Sequence, residues 1–122
     1  MPTVAVVGAS RDRRKFGNKA VRAFTQRGYT VIPVNPHETT VEGIPAVPSV
    51  AAIDVPLDVV TMYVPPEVGL ELLEDVARVR PREVWFNPGS ESEAMLARAR
   101  ELGIAPIVAC SVMGIGSSPD LF

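Results

Sequence analysis

Cysteine is almost absent from this chain: Cys110 stands alone among 122 residues, which excludes an internal disulfide and any CxxC redox or zinc motif and suits a reducing compartment. Histidine is as scarce. Because His37 is the only one, Ser10, Ser111 and Cys110 have no second histidine to act as base, and no nucleophile and base stand at a recognisable catalytic spacing. Clusters with metal-ligand spacing are missing too, since Glu91 and Glu93 fall at an expected helix start, where carboxylates favour the dipole. No apolar run reaches the roughly 18 residues of a membrane span, and the N-terminus lacks the charged segment and apolar stretch of a secretion signal. A soluble, unprocessed, cytoplasmic protein is the expectation. A strong charge of either sign is also lacking: the formal charge of −2 gives no reason to expect nucleic acid or an anionic membrane as partner.

What is present fits a single domain over residues 1–122. The composition, 47% hydrophobic and 21% charged, is near the globular average, and the length suffices to bury a core but leaves no room for a second domain. No internal repeat or low-complexity tract interrupts it. Thr3 to Val7 is apolar without alternation, the pattern of a central parallel strand covered on both faces, and Gly8 ends it. From Gly17 to Arg27, Ala20, Val21, Ala23 and Phe24 recur at helical spacing among Lys19, Arg22 and Arg27, with Gly28 as the stop. Tyr29 to Val34 is the second strand, broken by Asn35-Pro36. Glu38 to Pro56, with Gly43, Pro45, Pro48 and Pro56, reads mainly as ordered loop with one short helical turn near Ser49 to Ile53.

Leu57 to Val64 is the third strand, after which Pro65-Pro66 and the acidic Glu67 favour a helix running to about Val79. Glu83 to Phe86 is a short fourth strand, Asn87-Pro88-Gly89 a turn, and Ser90-Glu91-Ser92-Glu93 a capping-rich entry to a helix ending at Gly103. Ile104 to Ala109 is the fifth strand. Beyond Cys110, the residues Gly114, Gly116, Ser117, Ser118 and Pro119 read as a terminal arm or loose tail from about residue 111. Alternating strands and helices with short connections predict an α/β, Rossmann-like three-layer sandwich around a mostly parallel five-stranded sheet. In such sheets ligands bind beyond the carboxyl ends of the strands, where strand order reverses. Four loops share that edge: Gly8 to Gly17, Asn35 to His37, Tyr63 to Pro66 and Phe86 to Gly89.

A strand that ends in Gly and feeds a helix start is a phosphate cradle, because the helix start offers unpaired N–H groups and a partial positive charge. The Gly8 loop departs from the dinucleotide pattern G-x-G-x-x-G: position 10 is Ser and the next glycine is Gly17. Ser10 offers a hydroxyl to a phosphate oxygen, and Gly17 is expected to leave room for a ligand at the helix start. Between them Arg11, Arg13, Arg14 and Lys15, partly offset by Asp12, would neutralise an anionic ligand. The alternative is a solvated surface, with Gly8 only ending a strand. Asn35-Pro36-His37 stands where an NAD enzyme places a carboxylate for the ribose hydroxyls, which argues against NAD and removes a repulsive group from a ribose carrying a 2′- or 3′-phosphate. His37 reads either as a phosphate ligand or as an exposed loop residue. Trp85 and Phe86 read first as core aromatics, with ligand contact through Phe86 as the alternative, and Cys110 reads first as a buried, inert thiol.

In order and spacing, Val4-Ala5-Val6-Val7-Gly8-Ala9-Ser10, Val31-Ile32-Pro33-Val34-Asn35-Pro36, Tyr63-Val64-Pro65-Pro66-Glu67 and Val84-Trp85-Phe86-Asn87-Pro88-Gly89-Ser90-Glu91-Ser92 resemble the stand-alone coenzyme A-binding domain family over about residues 3–110. They are similar also to the N-terminal domain of the succinyl-CoA synthetase alpha subunit. The resemblance implies that coenzyme A lies across the strand edge, its diphosphate against Gly8, Ala9, Ser10 and the helix start at Gly17, with Lys15 and the neighbouring Arg14 facing phosphate. It further implies that Asn35 and Pro36 flank the nucleotide, that Val64, Pro65 and Pro66 form an apolar wall, and that Phe86, Asn87 and Pro88 border the adenine or pantetheine. Many relatives place an Asp or Arg before a Cys after the last strand. Here the sequence is Val108-Ala109-Cys110-Ser111, which leaves the register of that cysteine open. The phosphorylated histidine and grasp domain of the synthetases would need further sequence.

The expected function is therefore non-catalytic binding of coenzyme A or an acyl-CoA, with an acyl-CoA enzyme as a partner class. Two other readings stay open. A small NADP-dependent oxidoreductase would reveal itself by nicotinamide-cofactor binding with turnover. A partner subunit with a degenerate nucleotide site would co-purify with an acyltransferase or ligase while ignoring coenzyme A when pure.

Overall fold

The computed structural model describes residues 2–122, in which apolar runs become strands and amphipathic runs become helices. In chain order these are β1 (Thr3–Val7), α1 (Phe16–Gln26), β2 (Thr30–Val34), β3 (Thr40–Val41), β4 (Ile44–Pro45), a 3₁₀ turn (Val50–Ala52), β5 (Val59–Met62), α2 (Pro66–Val79), β6 (Glu83–Phe86), α3 (Glu93–Glu101), β7 (Pro106–Val108), α4 (Ser111–Gly114) and a second 3₁₀ turn (Pro119–Leu121). Five strands pair in the order β2-β1-β5-β6-β7, all parallel, so the expected α/β, Rossmann-like sheet is what forms. β1 lies between β2 and β5, and its Val4, Ala5 and Val6 have no exposed surface, which is why that run is apolar without alternation. Pro33 is tolerated in β2 because β2 is an edge strand. Its carbonyl accepts the Val47 N–H at 2.9 Å on the side away from β1, so the N–H it lacks would not have joined the ladder.

Two apolar layers close the sheet. On one face Ala20, Val21 and Phe24 of α1 pack with Val4 and Val6; on the other Leu73 and Val76 of α2 and Met95 of α3 pack with Ala5, Val60 and Phe86. β6 serves both, with Val84 and Phe86 in the second layer and Trp85 in the first. The third and fifth strands are shorter than expected, because pairing with neighbouring strands holds only Val59–Met62 and Pro106–Val108.

Two segments differ in kind. Residues 38–56 hold, besides the short helical turn, the hairpin β3-β4, which pairs Thr40 with Pro45 and Val41 with Ile44. Its turn residues Glu42 and Gly43 have φ of 51° and 75°, the left-handed pair that a two-residue type I′ turn requires, and Val41 is fully buried against the α1 layer. The residues beyond Cys110 are no loose arm. α4 folds back onto the α1 face with Val112 buried, the Arg27 guanidinium donates to the Gly116 carbonyl, and Arg22 stacks on Phe122 at 5.5 Å from the ring centroid. A Cβ on Gly114 would stand 2.7 Å from the Trp85 ring, so the small residues that suggest looseness are what let this segment pack close.

Candidate functional site

The loops leaving β1 and β5 diverge, because α1 lies on one face of the sheet and α2 on the other. This is the point where strand order reverses, and the gap there is a cleft of about 530 Å³. One wall is the loop from β1 into α1, with Gly8, Ser10, Lys15, Phe16 and Gly17; Asn35 stands behind it. Tyr63, Val64 and Pro65 form the second wall, and residues 87–90 with Cys110 form the third.

Gly8 is required at the first wall. Its φ is 91°, and a Cβ there would stand 2.6 Å from the Tyr63 carbonyl oxygen, so β1 and β5 could not end so close together. Gly17 corrects an expectation: the space a Cβ would take is filled by the Gly8 carbonyl, not left for a ligand. The start of α1 is thereby pressed against the end of β1. Among the described residues no side chain caps α1, whose N-cap is Lys15; the Asn18 N–H is taken by the Lys15 carbonyl, while the amides of Phe16 and Gly17 are open to a bound anion. Ser10 Oγ accepts the Asp12 N–H at 3.0 Å and keeps its own proton to donate.

Two of the four loop cations, Arg13 and Arg14, are already paired with carboxylates. The Arg14 guanidinium, on a side chain 91% exposed, donates twice to Asp12 at 3.0 and 3.1 Å. That hydrogen bond draws the Asp12 carboxyl down to about 2. Arg13 Nε lies 3.4 Å from Glu42, whereas Glu38 accepts only the backbone N–H of Arg11, at 2.8 Å, and does not pair its guanidinium. Lys15 is the loop cation that lines the cleft.

The two asparagines that follow strands hold loops together. Asn35 Nδ2 donates to the Ala9 carbonyl at 2.8 Å while its Oδ1 accepts the His37 N–H at 2.7 Å. Asn87 Nδ2 donates to Thr61 Oγ1 and the Met62 carbonyl at 2.7 and 2.9 Å, and its Oδ1 accepts the Ser111 N–H at 2.9 Å. Ser111 Oγ lies 2.7 Å from Thr61 Oγ1 and 3.2 Å from the Tyr63 hydroxyl. This hydroxyl–amide network ties Tyr63 and Asn87, which line the cleft, to the buried Thr61 and Ser111. Burial there pushes the Tyr63 phenol up to about 12.

Of the residues singled out in the sequence, Gly8, Ser10, Lys15, Gly17, Asn35, Val64, Pro65, Asn87 and Pro88 come together around the cleft. Ala9 is buried in the α1 layer, Arg14 and Pro36 face solvent, Pro66 opens α2, and Phe86 is fully buried in the layer of α2 and α3, its core reading. His37 is exposed and outside the lining. Cys110 is part-exposed and lines the cleft, against the expectation of a buried thiol. Phe16, Tyr63, Gly89 and Ser90 are further lining residues. Tyr63 and Gly89 lie within loops already assigned to this edge, while Phe16, 60% exposed, had as its signal only an aromatic off the buried stripe of α1. Among the described residues there is no helix long and apolar enough to cross a membrane, and no cluster of His, Cys, Asp or Glu that could hold a metal ion.

A family model described as CoA binding domain matches residues 2–115. The uncharacterized protein YneT of Bacillus subtilis (strain 168) is 33% identical over 104 residues, which are 82% of this chain and 74% of that one. A conserved hypothetical protein from Pyrococcus furiosus has a similar structure, with a TM-score of 0.87 at 30% identity over 93% of this chain and 99% of that one. The dinucleotide-forming acetyl-coenzyme A synthetase 1 of Ca. Korarchaeum cryptofilum, solved with phosphate and ADP, is similar over 85% of this chain and 25% of its own, with a TM-score of 0.74 at 26% identity.

Proposed function

The chain belongs to the CoA binding domain family, and from that premise we propose that it binds coenzyme A or an acyl-CoA in the cleft between the ends of β1 and β5, without chemistry of its own. The observation that carries this reading is the first wall: an uncapped helix start pressed against Gly8, with the Ser10 hydroxyl and the Lys15 ammonium on the same cleft. Amides, a hydroxyl and one cation are the donor set a diphosphate needs. Opposite them, Val64, Pro65 and Pro88 offer an apolar surface for the adenine or pantetheine. In the Korarchaeum synthetase a domain of similar structure is part of an enzyme named for acetyl-coenzyme A, which agrees with this ligand class.

Binding without catalysis is supported by where the candidate nucleophiles lie. Ser111 is 1% exposed and its hydroxyl is engaged by Thr61 and Tyr63. Ser10 and Cys110 line the cleft, but His37, the one histidine of the sequence, is exposed and outside the lining. Any chemistry on the thioester is assigned to a separate acyl-CoA enzyme as partner, in the cytoplasm. Calorimetric titration of the full chain with coenzyme A, compared with dephospho-coenzyme A, tests the binding. Saturable heat at one site per chain is expected; absence of heat from both ligands would remove the reading. Incubation with acetyl-coenzyme A tests the second half: the thioester is expected to persist at its uncatalysed rate, and faster loss would show an activity.

A further inference from the structure

Glu42 occupies a backbone position that suits it poorly. With φ of 51° it takes the first central position of the β3-β4 turn, where Asn, Asp or Gly settle at lower cost. From there its carboxylate reaches the start of α1: Oε2 accepts from Asn18 Nδ2 at 3.0 Å and lies 3.4 Å from Arg13 Nε. Asn18 is fully buried and also donates to the Ser10 carbonyl at 2.8 Å.

The shape of the loop has a separate support. Arg22 donates through Nε to Asn18 Oδ1 at 2.7 Å and through its terminal nitrogen to the Arg13 carbonyl at 2.9 Å, so the loop backbone is held from α1. What Glu42 alone supplies at this place is a negative charge facing Arg13. Arg14 is held by Asp12, and Lys15 is the loop cation that lines the cleft.

We propose that Glu42 is a specificity-determining residue of the ligand site: by holding Arg13 it limits the positive charge offered by the loop, and so sets how strongly the site distinguishes ligands that differ in phosphate charge. The proposal rests on the coenzyme A reading. Glutamine at this position still accepts from Asn18 but carries no charge. Releasing Arg13 then adds a mobile cation beside the anion, and removing the carboxylate removes a repulsion.

The test uses the full chain with coenzyme A and dephospho-coenzyme A, which differ by one phosphate, at low and high salt. For Glu42→Gln, coenzyme A is expected to bind about two- to fivefold tighter at low salt, as for a modest exposed ion pair, with the gain shrinking as salt screens it. The ratio of the two affinities should rise in favour of coenzyme A, with the melting temperature unchanged. In Arg13→Ala/Glu42→Gln the gain should vanish. An unchanged ratio and salt dependence in Glu42→Gln, or weaker binding of both ligands, overturns the role of Glu42. If wild type binds neither ligand, what fails is the coenzyme A reading beneath it.

Discussion

Lys15 and Arg14 are neighbours in sequence with opposite fates in the fold. Lys15 lines the cleft, while Arg14 points into solvent on Asp12. Lys15→Ala should therefore weaken coenzyme A binding on the order of tenfold, the worth of one charge-assisted contact, and Arg14→Ala should leave it within about twofold; calorimetry checks both. The run of basic residues was legible in the sequence as a phosphate loop, but which cation stays available was not, because that depends on carboxylates brought back by a turn at Asp12 and by a hairpin at Glu42. Phe86 and Trp85 present the same difficulty, since strand parity decides which layer each enters. Tyr63 carries a pH dependence. Its phenol, raised from 10.0 to about 12 by burial, is held protonated by the folded state, so its contribution to stability is whole below pH 10 and is lost as pH rises through about 12. In Tyr63→Phe the late component of the tyrosine absorbance titration and the matching alkaline loss of stability should both disappear; a titration identical to wild type would contradict the burial.

α1 owes its position to Gly17, the residue whose Cβ would overlap the Gly8 carbonyl. Backbone cannot yield there as a flexible side chain can. Gly17→Ala should cost about 2–3 kcal/mol in urea unfolding and weaken coenzyme A binding, because the helix start must retreat from the strand end. Gly69→Ala, inside α2, meets chiefly the terminal methyl of Met95 from α3 and should cost less, since the methionine can turn aside and alanine favours the helix. The elements that periodicity makes visible, β1, β2 and the three longer helices, lie within a few residues of where the sequence puts them. The hairpin β3-β4 stayed hidden because two-residue strands carry no period and Glu42-Gly43 is a weaker turn signal than Asn-Gly. α4 stayed hidden because four residues are too few to show a helical period, and only tertiary bonding explains the buried Ser111.

The whole molecule is built on a parallel sheet closed by two layers, with the cleft residues Tyr63 and Asn87 tied to the last segment through Ser111. A chain ending at Cys110 would lose Val112 from the core and strip Asn87 and Thr61 of buried partners. It should be less stable by roughly 3 kcal/mol or more, summing one buried aliphatic side chain and lost buried hydrogen bonds, as read by thermal or urea unfolding. At this scale the order of strands and helices made the architecture and the ligand edge readable in advance, whereas the role of the last dozen residues depended on contacts far apart in sequence. A second cavity, about 400 Å³ and lined in part by Arg80, Arg82 and Gly103, lies at the opposite edge of the sheet and gives a built-in comparison. The backbone amide resonances of the full chain, followed as coenzyme A is added, should move most at Gly8, Ser10, Lys15, Gly17, Val64 and Gly89. Largest shifts around Arg80, Arg82 and Gly103, or no saturable shifts anywhere, would contradict binding at the strand ends.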